Sequence, residues 1–161
     1  MWRPFFALVM AVVTTAWPSP AGFQANVRRV LDGDTIVVQT LDLERIKVRL
    51  YGLDAPEKGQ PGGKEAAAAL KPLQGQTVTV REMDIDRNGR MVALAEHEGK
   101  SVNLGLVEQG WAWYHGQYCQ EQPICGKMEK AEADARKAKR GIWAGDNPTP
   151  PWDWRRGVTH Y

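Results

Sequence analysis

The chain has 161 residues, 43% of them hydrophobic, with 21 lysines and arginines against 19 aspartates and glutamates and a formal net charge of +2. A chain of this length buries one core, so a single domain is expected rather than two. The near balance of charge excludes a protein that attracts polyanions by bulk charge, and any such attraction has to come from local clusters.

The first element lies outside the domain. Met1-Trp2-Arg3 makes a short positive start, Phe5 to Ala16 an apolar run, and Ser19-Pro20-Ala21 a small-residue cleavage pattern. Together they read as a signal peptide over residues 1–21. The apolar run is shorter than the roughly 20 residues a membrane span requires, which argues against an anchor. Cleavage removes Arg3 and no acid. The mature chain is expected to be soluble, free of membrane, and secreted or periplasmic, with a domain over 22–146 and a Pro/Trp-rich tail over 147–161.

From Ala25 to Leu50 the pattern is strand-like. Val27 and Val30 lead into an Asp-Gly turn, Thr35 to Gln39 is rich in β-branched residues, and Ile46, Val48 and Leu50 alternate with Arg45, Lys47 and Arg49. The alternation puts Arg49 on the face opposite Val48, where its head can reach a surface site. An alanine-rich helix is predicted from Glu65 to Leu70, ended by Pro72 and Gly75. Two further strands, Thr77 to Met83 and Met91 to Glu96, flank Asp86 to Arg90, whose Asn88-Gly89 pair signals a tight turn. Ser101 caps a second helix running to about Gln109, and a third spans Lys127 to Arg140 with Met128, Ala131, Ala135 and Ala138 on one side. The cations of that third helix, Lys127, Lys130, Arg136, Lys137, Lys139 and Arg140, are such a cluster, but Glu129, Glu132 and Asp134 dilute it, and a solvated face is the favoured reading over a polyanion-binding one. Pro148, Pro150 and Pro151 mark an irregular tail.

Cys119 and Cys125 are the only cysteines, and in an exported chain this close pair reads as a disulfide. A zinc site with His115 lacks the second pair of ligands such sites show. Core and tail packing is the expected use of Trp111, Trp143, Trp152 and Trp154, with nucleobase stacking left open for Trp113.

Four charged signals stand apart: Asp32-Gly33-Asp34-Thr35, Arg49, Asp54-Ala55-Pro56-Glu57, and Asp86-Arg87-Asn88-Gly89-Arg90. Each alone is a turn or a surface cation. Together they supply Asp34 and Asp54 as hard oxygen ligands for a calcium-sized ion, two guanidinium forks for a phosphate, and Glu57 free to act as a base.

The same segments, followed by Val102-Asn103, Gly110-Trp111-Ala112 and Gly141-Ile142-Trp143, occur in an order that resembles the staphylococcal nuclease family over nearly all the mature chain. The resemblance implies an α+β, mainly β, fold: a five-stranded OB-fold barrel with three α-helices. It implies a calcium-dependent endonuclease acting on DNA and RNA with little sequence specificity, expected as a monomer. By residue, Arg49, Glu57 and Arg90 match the catalytic trio, with Glu57 as general base and the arginines stabilising the transition state. Asp34 and Asp54 match the metal carboxylates, and Ala55 the position that lends its backbone carbonyl in place of the best-known member's threonine. Asp32 and Thr35 match residues that orient the loop and the metal's waters. Tyr114 and Tyr118 both lie near the family's aromatic nucleotide contact, and Asn88 stands where that member has a phosphate-contacting tyrosine.

Two other classes fit the barrel. One is a non-catalytic OB-fold module binding nucleic acid or protein, and the other is an oligosaccharide-binding barrel. Neither uses all of Asp34, Arg49, Asp54, Glu57 and Arg90.

Overall fold

A computed structural model describes residues 22–158, so the expected signal peptide and the last three residues lie outside the described residues. In chain order the elements are β1 (Phe23–Val30), β2 (Thr35–Thr40), β3 (Arg45–Leu50), β4 (Leu53–Asp54), α1 (Gly63–Leu70), β5 (Thr77–Ile85), β6 (Met91–His97), β7 (Lys100–Ser101), α2 (Val102–Glu108), β8 (Trp113–Tyr114), α3 (Ile124–Lys137) and α4 (Pro151–Trp154).

The five long strands close into the expected barrel. They run β3-β2-β1-β5-β6 through antiparallel pairs, and a parallel pairing of β3 with β6 joins the two ends. Alternation along the strands fills the interior with Val27, Ile36, Val38, Val48, Val78, Val80, Ala93 and Ala95, all almost fully buried. Each fully buried valine or isoleucine contributes about 1.5–3 kcal/mol. The strand alternation read from Ile46 to Leu50 holds: Val48 and Leu50 are buried and Arg49 faces outward.

The helices pack beside the barrel. Ser101 caps α2 by accepting the Leu104 N–H at 3.2 Å, as its sequence position predicts. Two residues on, fully buried Asn103 accepts from Ala95 N at 2.9 Å and donates to Tyr51 O at 3.0 Å and Ala93 O at 3.2 Å. It ties α2 to the barrel wall, and its loss would take a partner from Ala95 N and Tyr51 O at about 1–3 kcal/mol for each left unsatisfied, while Ala93 O keeps the Tyr51 N–H at 2.8 Å. Helix α3 starts and stops three residues earlier than its periodicity predicts. Lys139 and Gly141 adopt positive φ (52° and 57°), which ends the helix before Arg140. Its surface charges pair along the helix, Lys130 with Asp134 and Arg136 with Glu132, in keeping with a solvated face.

Cys119 and Cys125 form the disulfide, closing a separation of six residues, which stabilises by about 2 kcal/mol in the chain-entropy account. Among the described residues no helix is long and apolar enough to cross a membrane.

The tail departs from expectation. Pro150 and Pro151 sit where a helix tolerates proline, before and at its first position, so the segment read as irregular forms a fourth, one-turn helix, α4. Pro151 is buried, and the Trp152 ring meets Trp113 at 6.5 Å and His115 at 5.0 Å in edge-on contacts. Trp113 is 2% exposed and also stacks edge-on with Trp143 at 5.1 Å. It is a core residue, so the nucleobase platform left open for it is ruled out by burial.

Candidate active site

The site grows from the barrel register. Strands β2 and β3 place Thr35 opposite Arg49, which puts the Asp-Gly turn before β2 beside the outward face of β3. The turn packs too tightly for a side chain at Gly33. A Cβ there would lie 2.6 Å from Ala66 Cβ and 2.8 Å from Ala55 Cβ, so glycine lets the turn reach the loop after β4. That loop is fixed by the short β4–β8 ladder, which pairs Asp54 with Trp113.

Arg49 joins the two carboxylates. Its Nη1 donates to Asp34 Oδ1 at 2.6 Å and its Nη2 to Asp54 Oδ1 at 2.8 Å. Asp34 and Asp54 are 5% and 1% exposed, so one guanidinium bridges two nearly buried acids. Thr35 Oγ1 donates to Asp34 Oδ1 at 2.9 Å, Ala55 N to Asp34 Oδ2 at 3.0 Å, and Asp34 N to Asp32 Oδ1 at 3.0 Å. Asp32, Thr35 and Ala55 therefore all touch Asp34 or its backbone. Burial pushes the Asp34 carboxyl up to about 6 against the pull of Arg49. Burial acts to lower the Arg49 guanidinium, but Asp34 and Asp54 together hold it above its ordinary value.

Arg90 comes from the β5–β6 hairpin. Asp86 accepts the backbone N–H groups of Asn88 and Arg90 and the Arg90 Nε at 2.7 Å, so one carboxylate shapes the turn and aims the arginine. Burial would raise that carboxyl, yet these hydrogen bonds hold it below the usual aspartate value. Arg90, Arg87, Asn88, Arg49, Asp34 and Glu57 line a cleft of about 400 Å³.

An adjoining hollow of about 380 Å³ is lined by Tyr118 and His115 together with Arg49, Asp54 and Arg90, while Tyr114 is half-buried against the core. Of the two tyrosines, Tyr118 borders the site. Burial pulls the His115 ring below its usual 6.5.

One expectation requires correction. Glu57 is not free: Arg155, the residue after α4, donates from Nη1 to Glu57 Oε1 at 2.6 Å. The same guanidinium reaches Asp54 Oδ1 at 3.3 Å and Oδ2 at 2.7 Å. Gln60, 5% exposed, links the two segments, accepting from Glu57 N at 3.0 Å and donating to Thr149 O at 2.6 Å. Sequence reasoning passed over both residues. For Arg155 the available signal was a cation in a Trp-Asp-Trp-Arg-Arg run dense with anchors, and for Gln60 there was none.

Among the described residues no three His, Cys, Asp or Glu side chains converge as a ready metal cluster. Hard oxygens are still concentrated here: two buried carboxylates drawn together by one guanidinium, next to the Ala55 backbone. This donor set suits a calcium-type cation that completes its shell with water, and does not suit zinc.

The sequence matches the profile described as staphylococcal nuclease homologue over residues 47–145, which takes in Arg49, Asp54, Glu57 and Arg90. It is 38% identical to an uncharacterized endonuclease of Escherichia coli O157:H7 over 95% of this chain and 97% of the relative. It is 36% identical to a micrococcal nuclease of Shigella flexneri over 93% of this chain and 88% of the relative. A Haemophilus influenzae uncharacterized endonuclease is 36% identical over 81% of this chain and 72% of its own length. The chain belongs to the staphylococcal nuclease family and is a nuclease.

Proposed function

We propose that the protein is an exported, calcium-dependent endonuclease that hydrolyses phosphodiester bonds of DNA and RNA with little sequence specificity. The observation that carries this reading is Arg49 binding Asp34 and Asp54 at 2.6 and 2.8 Å, with Arg49 and Asp34 lining one cleft with Glu57 and Arg90. A single chain supplies every residue of the site, so a monomer suffices.

Asp34, Asp54 and the Ala55 carbonyl would hold the cation, which when bound supplies Lewis-acid stabilisation to a phosphate oxygen. Glu57 takes a proton from the attacking water as the new P–O bond forms. Arg49 and Arg90 donate to the phosphate oxygens, and their hydrogen bonds strengthen as charge gathers there. As the far P–O bond breaks, the leaving oxygen takes its proton from water, because a guanidinium does not readily give one up. Absence of sequence preference follows from a cleft lined by charges that grip backbone phosphate. The disulfide is consistent with an oxidising compartment outside the cytosol.

Plasmid DNA and a structured RNA incubated with the purified protein test this. Both are degraded in calcium and spared in chelator. Undiminished digestion in chelator rejects the metal role, and tight binding without cleavage selects the non-catalytic module.

The Asp34 carboxyl gives a pH signature. With a folded value about 6 against 3.8 when exposed, Asp34 takes stability away from the metal-free fold as it ionises between roughly pH 4 and 6. His115, lowered by burial, acts in the opposite sense as pH falls below its usual 6.5, so a melting curve mixes the two. Carbon NMR separates them. The Asp34 carboxyl carbon titrates near pH 6 in chelator, and calcium, which favours the ionised form, moves that midpoint down. A midpoint indifferent to calcium contradicts Asp34 as a ligand.

A further inference from the structure

Arg155 lies beyond the matched family region and yet makes three of the polar contacts to the site carboxylates. Its position is built. Residues 147–158 are docked by the Gln60 to Thr149 bond, by buried Pro151, and by the Trp152 ring against Trp113 and His115. The guanidinium then straddles Asp54 and Glu57. Asp54 Oδ2 is met by Arg155 at 2.7 Å, whereas Asp54 Oδ1 is shared between Arg49 and Arg155.

These contacts occupy the oxygens that the proposed chemistry requires. A cation held by Asp34 and Asp54 and the Arg155 head both draw on Asp54 Oδ2, and their like charges repel at contact distance, so each weakens the other's hold. The two arginines differ in how easily they can leave. Arg49 is rooted in β3 and its side chain is 20% exposed, whereas the Arg155 side chain is 45% exposed at the cleft rim. Rotation of that side chain clears the site while Trp152 and Gln60 keep the arm docked.

We propose that Arg155 is a built-in competitor for the cation, holding Asp54 and Glu57 together in the metal-free protein and released when the cation binds. The two occupants compete at Asp54, and the same event that loads the site frees Glu57 to act as base. The arm thereby keeps two acids, one of them buried, neutralised in calcium-poor surroundings. The inference rests on the reading of Asp34 and Asp54 as cation ligands.

The test is calorimetric titration of the full chain, freed of metal, with calcium chloride alone. Arg155→Ala and Arg155→Gln are compared with the unaltered protein. If Arg155 fills the site most of the time, its removal tightens calcium binding about tenfold, since apparent affinity scales with the fraction of molecules whose site is open. Both variants melt below the unaltered protein in chelator, and saturating calcium closes that gap, which loss of mere packing would not do. Calcium affinity unchanged or weakened in both variants, while the unaltered protein binds, overturns the competition and leaves the ligand reading intact. Absence of calcium binding by all three proteins overturns the ligand reading, and the competition with it.

Discussion

Replacing Arg49 by alanine is expected to abolish cleavage and to cost the metal-free fold about 3–5 kcal/mol, the usual consequence of removing one partner from a buried ionic cluster. Asp34 and Asp54, 5% and 1% exposed, would then lie close together without the guanidinium that bridges them. Arg155 still reaches Asp54, so Asp34 bears most of the penalty. Urea unfolding in chelator measures the loss, and repeating it in calcium tells its cause. A divalent ion between the carboxylates replaces the missing charge, so most of the stability returns while activity does not. Stability equal to the parent protein in chelator would show that Arg49 is not the counter-charge of the pair.

Glu57→Gln separates chemistry from folding more sharply. The Glu57 side chain is 41% exposed, and its backbone N–H, not its carboxylate, makes the bond to Gln60, so the amide should leave the loop in place. Turnover is expected to fall by about a hundredfold to ten thousandfold, the range for loss of a positioned general base. Calcium affinity should hold or rise slightly, because Arg155 loses one of its carboxylate partners. Turnover within a factor of about three of the parent would assign the base elsewhere.

The site was legible in the sequence to the extent that it sits on barrel strands and the turns between them. Arg49 follows from the alternation of Ile46, Val48 and Leu50, and Asp34 and Arg90 from Asp-Gly and Asn-Gly turns whose geometry is local. What local signals could not supply was Arg155, brought to Asp54 from 101 residues away by an arm whose prolines suggested only irregularity. Those prolines in fact start a helical turn that seats Trp152 and aims the next cation inward. Trp113 was equally opaque, because its neighbours on the chain say nothing of the pocket that Trp143 and Trp152 build around it. The β4–β8 ladder, two residues a side, is too short to leave a periodicity, yet it fixes Asp54.

The most direct measurement is a crystal structure of the chain grown with calcium and a non-hydrolysable dinucleotide. The account predicts one ion about 2.3–2.6 Å from a carboxylate oxygen of both Asp34 and Asp54, with Arg155 turned away from Asp54 and the phosphate gripped by Arg49 and Arg90. An ion bound elsewhere, or a phosphate seated in the cleft with Arg155 still clasping Asp54 and no cation between the two aspartates, would contradict it.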